Sequence, residues 1–167
     1  MIFCKEIQER KSNQLFSKRN DIDRQVIINI ITAATLAPSA KNSQPWRFFV
    51  VEEPSEEFIG FFPHNKWVKT AAFFIVVYME PSATIKREKE LMAIGAAIEN
   101  MLLEAQAEGI ASCWIGECFE RQEEIDQWTG VHNAELMAVI GFGNKRTDSA
   151  RAERRALSDV VYNWVQP

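Results

Sequence analysis

Histidine is nearly absent from this chain: His64 and His132 are the only two, and no carboxylate is spaced to assist either. Cys113 and Cys118 stand five apart, which is not a zinc-knuckle spacing, so no metal site is expected. Cysteine is scarce and odd in number, three in all, at spacings that fit no disulfide framework. That scarcity points to a reducing, cytoplasmic compartment. With 7 Gly and 6 Pro in 167 residues, a low-complexity or fibrous chain is excluded. Long apolar runs are missing too: the longest, residues 71–79, falls far short of the about 20 residues that span a bilayer. Lys5 and Glu6 interrupt the start, where a signal peptide would be apolar. Nor is there an excess of positive charge. Lys and Arg number 19 against 23 Asp and Glu, a net charge of −4, which argues against a nucleic-acid binder relying on a basic surface. No G-x-S-x-G elbow is present, so nucleophilic catalysis has no obvious seat.

What remains is ordinary globular material, 47% hydrophobic and 25% charged, without repeats or linkers. Residues 1–167 read as a single domain. A weak helical pattern opens the chain and ends in the polar stretch Arg10-Lys11-Ser12-Asn13-Gln14. Asp21 and Asp23 mark a helix start, and Ile27, Ile30, Ile31 and Ala34 then fall on one helical face before Pro38. A strand is expected over 46–51 and a buried one over 73–78, rich in β-branched and aromatic residues. The longest helix is expected over 86–108, with Leu91, Ile94, Ile98, Met101, Leu102 and Ala105 as its apolar face and Gly109 as its cap. A short strand over 111–115, a helix over 120–129 stopped by Gly130, and a third buried strand over 136–142 follow. The first strand comes only after two helical segments, so the rhythm is not βαβ. A compact α+β domain is the expected class.

Three features could carry chemistry. Gly141-Phe142-Gly143 lacks the third glycine of a dinucleotide fingerprint, since Arg146 stands there, and reads instead as a Gly-rich turn leaving a strand. Arg10, Lys11 and Ser12 near one end, and Arg151, Arg154 and Arg155 near the other, offer cations and a hydroxyl suited to phosphate if the fold unites them. Alone, each group is a solvated face. The loop 38–46 packs two prolines with Ser39, Asn42 and Gln44 just before Trp46. Its stiffened polar groups could read the edge of a heterocycle or a polyol chain. It could equally be a plain helix-to-strand connection with Trp46 in the core.

The run Ala37-Pro38-Ser39-Ala40-Lys41-Asn42-Ser43-Gln44-Pro45-Trp46-Arg47-Phe48 resembles the signature A-P-S-x-x-N-x-Q-P-W-x-F of the nitroreductase family of flavin enzymes. Arg10-Lys11-Ser12 with Phe16 is similar to that family's R-R-S-x-R-x-F. Gly95, Asn100 and Leu103, then Gly109-Ile110-Ala111-Ser112-Cys113-Trp114-Ile115-Gly116, resemble its central helix and next strand. Ile140-Gly141-Phe142-Gly143 and Arg154-Arg155-Ala156-Leu157-Ser158-Asp159-Val160-Val161 resemble its last strand and basic segment.

The resemblance implies a nitroreductase-like α+β fold: a central, mainly antiparallel sheet packed by helices, with a C-terminal segment reaching the partner protomer. It implies a homodimer with FMN in the interface and NAD(P)H as electron donor. Arg10, Lys11 and Ser12 would contact the phosphate and the polar side of the flavin. Pro38, Ser39, Ala40 and Asn42 would reach it from the other protomer. Trp114, Ile115 and Gly116 would line the ring, and Arg154 or Arg155 would complete the phosphate grip. Gln14 stands where the family usually has a basic residue, and it can still donate to a ribityl hydroxyl or the flavin edge. The activity implied is hydride transfer to a nitroaromatic, quinone or similar electron-poor acceptor, with no side chain as acid or base. The alternative is a flavin-binding or flavin-storage dimer without turnover.

Overall fold

The computed structural model describes residues 4–17, 22–146 and 152–163. Four strands form one sheet: β1 (Trp46–Val51), β2 (Phe73–Met79), β3 (Ile110–Ile115) and β4 (Glu135–Asn144). Their order is β1-β2-β4-β3, and every neighbouring pair is antiparallel. Six helices accompany them among the described residues: α1 (Lys5–Glu9), α2 (Arg24–Thr35), α3 (Glu56–Gly60), α4 (Arg87–Ala107), α5 (Gln122–Thr129) and α6 (Leu157–Val160).

The two central strands are apolar on both faces because both faces are covered. Phe73, Ile75, Val77 and Met79 of β2 point to the α2–α4 side, with Ala138, Ile140 and Phe142 of β4. The alternate residues Phe74, Val76 and Tyr78 point to the other side, against Phe58, Trp67, Ile125 and Val139. Phe73 and Phe142 stack across the strands, ring centroids 4.7 Å apart and nearly parallel.

The helix ends follow local chemistry. Asp23 caps α2 by accepting the Gln25 N–H at 2.9 Å. Gly109 and Gly130 end α4 and α5 with φ of 75° and 71°, values that glycine adopts without steric cost. Ile27, Ile30 and Ala34 are buried on α2 as the periodicity required, and Ile31 packs beside them. Asp21 lies outside the described residues.

Two expectations are corrected. Leu91 is exposed and does not belong to the apolar face of α4. The stripe there runs through Glu90, Ala93, Ile94, Ala97, Ile98, Met101, Leu102 and Ala105. Glu90 takes the inward position because its Oε1 accepts the Ser82 N–H at 3.0 Å, satisfying the turn between β2 and α4. Gly141-Phe142-Gly143 is not a turn leaving a strand but lies within β4. Its glycines admit rings: a Cβ on Gly141 would stand 2.9 Å from the Trp67 ring, and one on Gly143 would stand 2.9 Å from the Phe16 ring.

Candidate functional site

Leaving α1, the chain runs as a strip beside β3, the edge strand. Ser12 bridges Ser112 in parallel sense, and the Asn13 N–H donates to the Ser112 carbonyl at 2.9 Å. Further on, Phe16 is buried, and the Ser17 N–H donates to the Asn144 carbonyl at 2.8 Å. The strip is therefore held at both ends by backbone bonds. Arg10 sits at its start and pairs with Glu99 of α4, Nε to Oε1, at 3.2 Å, with only 20% of the arginine side chain exposed. Burial pushes the Cys113 thiol up to about 11, and the neighbouring Gln14 side chain opposes the shift.

On β3 itself, Trp114 is 44% exposed between buried Cys113 and Ile115. Next comes Gly116, where an added Cβ would meet no protein atom within 4 Å. Nothing in the chain's own packing requires glycine at that position. Arg10, Lys11, Ser12, Gln14, Trp114, Ile115 and Gly116 thus gather around one sheet edge, cations at one end and an exposed indole at the other.

The loop after α2 adjoins the opposite edge strand, β1. Ser39 Oγ accepts the Gln44 N–H at 3.0 Å and closes the loop on itself. Lys41, Asn42 and Gln44 have φ of 54°, 56° and 46°. Asparagine tolerates that region, but lysine and glutamine occupy it at a cost of about 1–2 kcal/mol each. Pro38 and Asn42 are exposed, and Ser39 and Ala40 half-buried. Trp46 is in the core. The edge strands that the strip and the loop adjoin are three spacings apart in the sheet, roughly 14 Å. Within one chain the strip and the loop are thus carried at opposite edges of the sheet.

Arg154 and Arg155 lie in the exposed segment 152–163. Arg154 Nη1 donates to the Ala152 carbonyl at 3.0 Å, and Arg155 Nη2 to the Asp159 carbonyl at 2.8 Å. Neither bond distinguishes the two as a partner for Arg10. Arg151 lies outside the described residues. Among the described residues, no three His, Cys, Asp or Glu side chains are grouped to hold a metal ion, and no helix is long and apolar enough to cross a membrane.

Two residues of this region carried no sequence signal. Glu99 meets Arg10 only through tertiary packing of α4. Glu117, one residue past Gly116, is half-buried with its side chain turned inward, and accepts hydrogen bonds from the His64 N–H at 3.2 Å and from Asn65 Nδ2.

The sequence and fold match an oxidoreductase class. The family model for the nitroreductase family matches residues 7–59 and 56–144. The chain belongs to the nitroreductase family. It is 33% identical over 166 residues to an Archaeoglobus fulgidus protein named "Putative NADH dehydrogenase/NAD(P)H nitroreductase", covering 95% of each chain. Among solved structures, a Desulfovibrio desulfuricans protein described as a "putative nitroreductase in complex with fmn" superimposes with a TM-score of 0.86 at 25% identity, covering 97% of this chain and 96% of that one. A Staphylococcus epidermidis protein described as an NAD(P)H:FMN oxidoreductase shares the fold, with a TM-score of 0.85 at 21% identity, covering 95% and 94%.

Proposed function

We propose that this protein is an FMN-dependent oxidoreductase that passes a hydride from NAD(P)H to an electron-poor acceptor, a nitroaromatic, a quinone or a similar ring. The observation that carries the reading is the strip at residues 10–14 lying beside exposed Trp114 and open Gly116. The fit rests on chemistry and on space. Two cations and a hydroxyl in succession suit a phosphate, and Trp114 gives an apolar surface to a flat ring. At Gly116, the room that a Cβ would fill is left for a ligand to approach the backbone. The Desulfovibrio desulfuricans relative was determined with FMN, which supports the same cofactor here.

When bound, FMN supplies a two-electron carrier at its N5. The chain's part is binding, orientation and electrostatics. Arg10, Lys11 and Ser12 hold the phosphate end, with Arg154 or Arg155 completing the grip. Gln14 donates to the ribityl chain or ring edge. Backbone N–H groups at Ile115 and Gly116 stabilise negative charge on the ring edge. Pro38, Ser39, Ala40 and Asn42 come from the second protomer of a homodimer. Their place at the opposite edge of the sheet from the strip supports that division. The exposed Leu157, Val160 and Tyr162 of the C-terminal segment likewise suit a partner-covered surface. Three free cysteines favour a cytoplasmic setting.

Anaerobic titration with NADH and NADPH tests the reading. Bleaching of bound flavin by either, and its recovery with nitroaromatic or quinone, is the expected result. Flavin that binds but is reduced by neither overturns the nicotinamide step and favours a flavin-storage dimer. Gln14, standing where a cation is usual, is the observation on that side.

A further inference from the structure

The segment 64–70 touches both walls of the candidate site without belonging to either. On one side, Asn65 Nδ2 donates to Glu117 Oε2, and the His64 N–H donates to Glu117 Oε1 at 3.2 Å. The Glu117 side chain is only 7% exposed, so a carboxylate is held in a nearly dry place by these donors. It lies one residue past Gly116, in the turn that ends β3.

On the other side, Asn65 Oδ1 accepts the Trp67 Nε1–H at 3.1 Å. The Trp67 ring meets the Phe16 ring edge to face, with centroids 5.6 Å apart. Thr70 adds a second tie: its hydroxyl donates to the Trp67 carbonyl at 2.7 Å and accepts the Phe16 N–H at 3.4 Å. Phe16 ends the strip that begins at Arg10. Gly141 and Gly143 of β4 give these two rings their room.

We propose that Asn65 is a positioning residue: its single amide joins the turn after β3 to the strip after α1, and so sets the spacing of the two walls. The proposal rests on the reading of those walls as the FMN site. An amide suits the task because it donates on one side and accepts on the other. A carboxylate at 65 would face the Glu117 carboxylate. An amide at 117 would face the Asn65 amide, and turning Asn65 over to meet it would strand the Trp67 N–H. Both changes together restore the three hydrogen bonds: Gln at 117 donates to Asp at 65 and still accepts the His64 N–H, while Asp at 65 accepts from Trp67.

The test is a double-mutant cycle on the full chain, with FMN affinity read by quenching of flavin fluorescence. The midpoint potential of bound flavin and the Tm of the FMN-free protein are measured alongside. Asn65→Asp and Glu117→Gln should each raise the FMN dissociation constant at least tenfold and shift the potential. The double variant should return both to within threefold and near the wild-type potential. Trp67→Phe, which keeps an aromatic ring and removes one hydrogen bond, should weaken FMN severalfold and serves if a single variant does not fold. Dissociation constants within twofold of wild type, with only Tm lowered, overturn the proposal, as does a double variant that binds no better than the singles. Wild-type protein that binds no FMN refutes the cofactor reading itself, and the proposal with it.

Discussion

Arg10 and Glu99 form an ion pair between the chain leaving α1 and the middle of α4, Nε to Oε1 at 3.2 Å. The pair holds the guanidinium in place at the start of the strip. It also sets a carboxylate in competition with any anion that approaches.

That competition gives the first prediction. Arg10→Ala should weaken FMN binding at least tenfold, because a hydrogen bond to a charged group contributes about 1.5–3 kcal/mol and about 1.4 kcal/mol is tenfold. Asn42→Ala should weaken it less. Glu99→Gln keeps a hydrogen-bonding partner, removes the competing charge, and should tighten FMN severalfold at low salt. Fluorescence titration at two ionic strengths checks all three. Unchanged affinity in Arg10→Ala and Asn42→Ala together would remove the proposed site.

Two glycines separate folding from binding. Gly143→Ala places a methyl 2.9 Å from the buried Phe16 ring. Such overpacking should cost about 1–3 kcal/mol. At this chain length that lowers Tm by about 2–4 °C for each kcal/mol. Gly116→Ala meets no protein atom within 4 Å, so Tm of the FMN-free protein should not fall while FMN affinity should. Thermal melts with and without FMN decide both.

The loop after α2 stores backbone strain. Lys41 has φ 54° and ψ 26° and is exposed, so Lys41→Gly removes strain without removing packing. Relief of about 1–2 kcal/mol is offset by glycine's greater freedom in the unfolded chain, about 0.4–1 kcal/mol. A rise of up to about 1.5 kcal/mol in unfolding free energy is expected. A lower urea midpoint would contradict it.

The thiols respond to pH in a fixed direction. Burial pushes Cys113 and Cys118 from the ordinary 9.0 up to about 11. The folded protein keeps both protons where the unfolded chain loses them. Their contribution to stability is therefore full below pH 9 and is lost as pH rises through 11. Urea midpoints should fall across that window. At pH near 8, a thiol reagent should label exposed Cys4 quickly and the buried pair only after unfolding.

Much of the fold was legible because local rules and tertiary packing agree. The α2 face, the apolar runs of β2 and β4, and the glycines ending α4 and α5 all follow from period, burial and φ. Leu91 was misread because apolarity alone was counted, while a buried glutamate with a backbone donor took the inward position. Gly141-Phe142-Gly143 was misread because glycine was taken for a turn, whereas here it makes room for Phe16 and Trp67. Motif and chemistry singled out the strip and the loop as candidate site residues. The ties of Arg10 to Glu99 and of Asn65 to Glu117 were invisible, since they join side chains far apart in sequence and leave no local pattern.

The FMN site is tested most directly by an absorption spectrum of freshly purified protein. It is repeated after adding FMN and removing the excess by gel filtration. Flavin bands that stay with the protein peak are the expected result. A colourless protein that also fails to retain added FMN would contradict it.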